Sequence, residues 1–497
     1  MKRAVPVQVS PFKEEGSLQQ PFNRRAFLRS LTTAVTAGVI LPGERTLRGD
    51  LLATPGGGAM RAIRLSTSGS DRATGYGMSG KVVSLHEPYL LCSWLDVSRQ
   101  NQWALVDARQ AEVVRRGTVG PPRGDNHCGV ALCVAPDGAA HCVVGAHGGS
   151  FMHYRMAAGE EGADWQLVQE AIGEAATYPS LVCDPQGTLH LTYRRNKPTP
   201  YHVMYSCRKR DDVSWAEPRP LVRAAVPVHT WTTHAMETGP DGRLHLVVTN
   251  TQTIREGAWY FGASHIFSDD SGRSWRQLGS QAPLALPAGA DTLKRIESDG
   301  FPPDRTLSAD AMQKLPAAGP SQYYYFNILL SNPVIDKTGR PWVVVHNLLR
   351  GEASLYHAGN GAWIGAPLGD IVRTRLPRHN VSHMGQLARH GNGDLEIVLS
   401  AVPESVQSHR YGAAGTKLVR ILADAAAAPR TCELVREADV SGIPDWLPNI
   451  QRSGSQTAMT RPALLWTRGV NSHTLTEQHT NVNEVRTEVW LQLPSAL

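Results

Sequence analysis

Charged side chains are scarce in this chain: 19% of its 497 residues are Asp, Glu, Lys or Arg. Such a composition excludes a long charged coiled coil and an acidic disordered polymer. Excess charge of one sign is also small. The formal net charge is +6, and two lysines and six arginines against three glutamates and one aspartate give the first fifty residues +4 of it. The remaining +2 excludes a broad basic face, so a nucleic-acid partner is not expected. Cysteines number seven, an odd count at irregular spacing, which excludes a disulfide scaffold in a chain this long. Most stand beside Val, Leu or Ala and are expected to pack as small buried hydrophobes. Long apolar runs are missing too. The longest near the start, Leu31 to Leu41, falls short of the ~20 residues a membrane helix needs. Helical periodicity is weak along the chain. What is abundant is glycine (46) and proline (33), the punctuation of a large, turn-rich, all-β protein.

The first segment has its own logic. Arg24 and Arg25 are followed by Phe27 and Leu28, and then by the short apolar run. This order predicts a twin-arginine-type signal and linker over residues 1–55. The rest, 56–497, is expected to be a single domain with an insertion near 281–325. The protein would be exported to the periplasm or beyond and leave the membrane once the signal is removed. It is expected to act as a monomer.

A repeat lies hidden in the turns. Five stretches share one order: a polar opener, a short apolar run, a glycine turn and a second apolar run ending in a polar or aromatic residue. They are HCGVALCVAPDGAAHCVVGAH, YPSLVCDPQGTLHLTYRR, HAMETGPDGRLHLVVTN, NPVIDKTGRPWVVVHN and HMGQLARHGNGDLEIVLSA. Their turn glycines, Gly138, Gly187, Gly242, Gly339 and Gly393, are 49, 55, 97 and 54 residues apart, and the long interval holds the insertion. GKVVSLHEPYLLCSWLD and SQTAMTRPALLWTRG are weaker flanking copies. Seven units of about 50 residues predict a seven-bladed β-propeller of four-stranded antiparallel blades. The stretch SDDSGRSW, Ser268 to Trp275, matches the S-x-D-x-G-x-x-W hairpin signature of such repeats and is expected to be structural.

Registering the units places chemistry at one address. The openers are His127, Tyr178, His234, Asn332 and His383, and the second runs end in His147, Tyr193, Asn250, His346 and Ser400. An antiparallel partner returns to the end where the first strand began, so both sets are expected at one rim. Three uses compete for His127 and His147: structural hydrogen bonding, metal ligation and proton transfer. The surrounding Cys and His spacings match no common zinc motif, and neighbouring strand residues point to opposite faces. Imidazole titrates near neutrality, which favours proton transfer. His141, Cys142 and His153 lie within strands and are expected to be structural. Tyr193, Arg194 and Arg195, with Arg208 and Arg210 nearby, add a phenol and guanidinium groups suited to gripping a carboxylate. Together they suit removal of a proton beside a carboxylate, as in β-elimination of a uronic acid.

With these residues the chain resembles the BNR-4 repeat family, which includes seven-bladed ulvan lyases and related propellers acting on rhamnose–glucuronate linkages. The likeness is carried by DNHCGVALCVAPDG, HCVVGAHGGSFMHYR, TYPSLVCDPQGTLHLTYRR and GPDGRLHLVVT, and spans Gly75 to Trp275. It implies that His127 and His147 are paired histidines around the cleavage site, Tyr193 the catalytic tyrosine and Arg208 the carboxylate-neutralising arginine. Arg210 and Arg194 are alternatives for that last role. Asn126, Tyr178, Arg194, His234, Asn250, His346 and His383 are expected to bind substrate. Asn250 stands where some relatives carry an aromatic residue. The implied activity is a secreted polysaccharide lyase on an acidic, ulvan-like glycan. Two alternatives stay open: an α-L-rhamnosidase-type hydrolase on the same linkage, and a non-catalytic carbohydrate-binding propeller using Trp94, Trp231 and Trp259. Paired carboxylates, which most hydrolases use, are not found at the rim addresses. The elimination itself requires no cofactor and no catalytic metal; calcium or zinc would enter only as a brace of the fold.

Overall fold

The computed structural model describes residues 61–494, apart from 160–163, 199, 225–232, 255–256, 301–322, 383–384, 407–411, 437–441, 453–460 and 471–484. The leader and His383 therefore lie outside the described residues. So does Trp231. Alternating apolar patterns bounded by glycine turns fold as antiparallel strands, and among the described residues there is one short helix, Gly369–Arg375. The protein is all-β.

Six sheets follow one another along the chain. The first recognisable unit is a four-stranded meander, Val82–His86, Tyr89–Leu95, Asn101–Asp107 and Glu112–Val119. An eight-stranded sheet comes next, from Ala131–Val134 to Arg219–Arg223 and Ala288–Gly289. Three five-stranded sheets follow, built around Leu244–Ile254, Pro341–Asn347 and Leu395–Pro403. In the last sheet the strand Ala62–Gly69 pairs with Thr487–Gln492, joining the two ends of the described chain.

The turn glycines explain why the hairpins recur. All five have φ between +77° and +96°, a region that costs an L-residue about 1–2 kcal/mol. In each, the glycine N–H donates to the carbonyl three residues earlier, on Ala135, Asp184, Gly239, Asp336 and His390 respectively. In two turns the opening aspartate does further work. Asp184 and Asp336 each accept turn N–H groups on Oδ1. Their Oδ2 atoms accept from the side chain six residues on, His190 and Trp342.

Apolar side chains lie between successive sheets. Val83, Leu91 and Leu105 pack on Leu132, Val134 and Val144, and Val182, Val203 and Leu221 pack on Leu244, Leu246 and Ile266. Val398 and Leu418 meet Ile450 and Leu464, and Leu465 and Leu491 meet Val82 and Leu90, so the last sheet packs back on the first. A fully buried Val or Leu here contributes about 1.5–3 kcal/mol. The cysteines behave as expected: all seven are free, and Cys92, Cys128, Cys133 and Cys142 are buried. The Ser268–Trp275 hairpin is structural as well. Asp270 accepts from the backbone and hydroxyl of Ser274, while the Trp275 indole is fully buried with its N–H on the Gly272 carbonyl.

Candidate active site

The site begins with a turn. Between Glu112–Val119 and Ala131–Val134 the chain reverses through Asp125, Asn126 and His127. Asp125 Oδ1 accepts the backbone N–H of His127 at 2.6 Å, the local bond that makes aspartate a turn former. The Asn126 amide donates to buried Asp71 Oδ1 at 2.8 Å and so ties this turn to the loop 70–79. Asn126 is thus a brace.

The same carboxylate holds two imidazoles. Asp125 Oδ1 accepts from His127 Nδ1 at 2.8 Å, and Oδ2 accepts from His147 Nδ1 at 2.5 Å. The two rings stack at 4.3 Å, 25° from parallel. On its far side His127 Nε2 lies 2.6 Å from an Arg72 amino nitrogen. Arg72 has only N–H groups to offer, so the network assigns Nε2 as acceptor and Nδ1 as the protonated nitrogen. Burial, and then the Arg72 charge, push the His127 titration down to about 3, and the ring is neutral. Burial alone would raise the Asp125 carboxyl. The hydrogen bonds from His127 and His147 outweigh it and hold the group well below the usual carboxylate range.

Aromatic rings wall the pair. Tyr76 stacks on His127 at 5.8 Å, and its hydroxyl oxygen accepts from Arg72. Tyr178 lies 5.9 Å from His127 and meets Tyr76 edge-on at 4.9 Å. Arg194 places its guanidinium 4.6 Å from the Tyr178 ring centre and 5.2 Å from that of Tyr201. His147, the first residue of the strand His147–Met156, is the accessible member. Its side chain is 31% exposed, against 19% for His127. With Nδ1 bound to Asp125, His147 has Nε2 left over.

Asp125, His127 and His147 also bring three ligand atoms within 4.8 Å of one another, the makings of a metal site. The Arg72 contact opposes it. With Nδ1 protonated toward Asp125 and Nε2 covered by a guanidinium, His127 has no lone pair for an ion.

Two expected members are elsewhere. Tyr193 precedes Arg194 on one strand, so the two side chains point to opposite faces. Tyr193 is 1% exposed and packs edge-to-face on Phe151, away from the Asp125 cluster. Arg208 pairs with Leu189, whereas Arg194 pairs with Val203. Antiparallel pairing puts Arg208 at the opposite end of that hairpin, about five residues or ~17 Å along the strands. The expected substrate contacts divide as well. Tyr178 and Arg194 join the cluster. Buried Asn250 is committed internally, its amide donating to the Ala290 carbonyl and its oxygen accepting from Ser264. His346 is fully buried and accepts the Gly385 N–H. His234 is also fully buried, beside a small cavity that Tyr76 lines too.

The residues that the repeat register missed are Asp125, Arg72 and Tyr76. Asp125 had a signal, an aspartate two residues before an opener histidine at a turn. Arg72 and Tyr76 come from SDRATGYGMSG, which precedes the first repeat and so has no counterpart to be registered against.

An all-β repeat protein with a cluster of histidine, tyrosine and arginine is the class that fold and site define. The model of the BNR repeat-containing family matches residues 89–370, and the chain belongs to that family. A search of curated proteins finds no match. Among solved structures, a polysaccharide lyase described as an ulvan lyase superposes with a TM-score of 0.58 at 11% identity, over 82% of this chain and 93% of that one. The same lyase bound to -[GlcA(1-4)Rha3S]- gives 0.58 at 10% identity, over the same shares. A further polysaccharide lyase gives 0.51 at 12% identity, over 87% of this chain and 99% of that one. These likenesses establish a shared fold.

Proposed function

We propose that the protein is an exported polysaccharide lyase that cleaves a uronate-containing, ulvan-like glycan by β-elimination. One observation carries this reading: a single ionised carboxylate holds two imidazoles through Nδ1, beside an arginine and two tyrosines. In the reaction His147 Nε2 takes the proton at C5 of the uronate. The electron pair forms the C4–C5 double bond, the C4–O bond breaks, and the departing glycosidic oxygen takes a proton from a tyrosine hydroxyl, Tyr76 or Tyr178. Arg72, beside His127, supplies the positive charge for the substrate carboxylate and the enediolate that develops from it, while buried Arg194 holds Tyr178 in place. Two carboxylates flanking a glycosidic bond, which most hydrolases require, are not found among the described residues around His147.

The fold reading goes with it. The strand Gln166–Cys183 pairs with His147–Met156 through its first part and with Leu189–Arg195 through its last. Phe151, Ile172, Leu189 and Tyr193 form a core between the two halves of that sheet. Counted as two blades, it brings the six sheets to seven, and the pairing of first and last strands is then the closure of a propeller.

The test is direct. Incubation with ulvan or glucuronan should raise the ultraviolet absorbance of a 4,5-unsaturated uronate. Reducing ends without that absorbance would mean hydrolysis, and binding without either product would mean a lectin.

A further inference from the structure

Tyr193 is the residue that the cleft does not use, and its surroundings give it another use. Its phenol is 99% buried. Among the described residues its hydroxyl has no hydrogen-bond partner and is left to the space beside it. The hydroxyl stands at the wall of a cavity of about 260 Å³ lined also by Gly173, Glu174, Arg195, Trp215 and Glu217. Gly173 has φ +67°, and a Cβ there would fall 2.6 Å from the Tyr193 oxygen. The backbone thus passes directly over the phenol tip and keeps it in place.

Arg195 is the second group without a counterpart. Its Nε is buried with no acceptor, and among the described residues it forms no ion pair, not even with Glu174 or Glu217 at the same cavity. The wall itself is strained. Ala171, Gly173 and Ala175, alternate residues of one strand, all have positive φ, from 46° to 67°. Two of them are alanines, for which that conformation is unfavourable, and such strain gathers where a backbone is held for a ligand.

We propose that this cavity is a second ligand site, separate from the Asp125 cluster, that takes a single acidic sugar unit. The chemistry of the lining selects the class. Arg195 and the Tyr193 hydroxyl are donors and suit a carboxylate or sulfate ester. The exposed carboxylates of Glu174 and Glu217 are acceptors and suit ring hydroxyls. The Trp215 indole, with its N–H turned inward to His153 at 3.3 Å, leaves ring surface for an apolar sugar face.

The experiment uses the full-length protein carrying His147→Ala, so that the first site is disabled without touching this one. D-glucuronate, a sulfated galactose and L-rhamnose are titrated in by calorimetry. Glucuronate or the sulfated sugar should bind saturably and rhamnose should not; which acid binds tells carboxylate from sulfate ester. Adding Arg195→Gln should weaken that binding at least about tenfold, as loss of a charged hydrogen bond does. Adding Tyr193→Phe should weaken it about fivefold, with no fall in Tm, because the hydroxyl has no protein partner to lose. Equal binding of rhamnose, an unchanged affinity in Arg195→Gln, or no saturable binding of either acid overturns the proposal. Elimination activity is read separately: its absence with this binding intact would remove the lyase reading and leave the second site standing.

Discussion

Two histidine pairs share one stretch of chain and do opposite things. His127 and His147 are linked through a carboxylate, and one ring is partly exposed beside a cation. His141 and His153 are linked to each other, Nδ1 to Nε2 at 3.0 Å, and the Trp215 indole donates to the remaining His153 nitrogen. Burial pushes the second pair down to about 4 and about 3. Each His153 nitrogen is occupied by a neighbour, and the pair serves as a polar rivet between strands. The motif recurs at the same address two hairpins later, where His245 and His265 lie 3.1 Å apart, both deeply buried. What separates the His141–His153 pair from the Asp125 cluster is the third party: the Trp215 indole closes the first network, whereas a shared carboxylate leaves one nitrogen of His147 facing out.

The contrast can be broken at either pair. Asp125→Ala should cost the largest effect, about 10³-fold in the rate of uronate elimination, with His147→Ala close to it, since both remove the oriented base. The unfolding midpoint of His147→Ala should stay near the parent, because that side chain is partly exposed, whereas Asp125→Ala also strands the His127 N–H groups and should lower it. His153→Leu should do the reverse. It strands the His141 nitrogen and the Trp215 N–H, and chemical denaturation should show a loss of about 2–3 kcal/mol at unchanged activity per folded molecule. Gly187→Ala, at φ +85°, should cost about 1–2 kcal/mol in the same measurement.

Acid sharpens the comparison. A histidine whose folded titration lies below its unfolded value of 6.5 binds fewer protons when folded, so stability rises with pH between the two values and falls as pH is lowered. His127, His141, His153, His245 and His346 all work in that direction, with folded values of about 3 to 4. Glu237 and Asp445, raised by burial to about 6, work the other way from pH 4 to 6 but are fewer. Thermal midpoints should therefore drop steadily from pH 6.5 toward 3, and His153→Leu should show a shallower slope than the parent. An equal slope would mean that the rivet does not titrate with unfolding.

The all-β class, the five glycine hairpins and the Ser268–Trp275 turn were legible in the sequence because they are local: a glycine, an alternation and a fixed spacing suffice. His127, His147, Tyr178 and Arg194 were legible as members of one rim for the same reason. Tyr193 was misplaced because neighbouring residues of a strand face opposite sides, so the face that carries Arg194 cannot carry it, and Arg208 because its strand runs antiparallel and ends beside Leu189, at the far end of the hairpin. Arg72 and Tyr76 belong to a loop outside the repeat, and no spacing rule reaches them.

The bond from Thr487 Oγ1 to the Ser70 carbonyl spans 417 positions, and the strands on either side of it pair edge to edge. Those two edges cannot be satisfied until the far end of the polypeptide has left the ribosome. Assembly is thus governed by its longest loop, a late and slow event that rewards a cell able to shelter the unfinished molecule. Any truncation that removes Thr487–Gln492 would leave a raw strand edge open to other chains, and aggregation rather than mild loss of function is its expected fate.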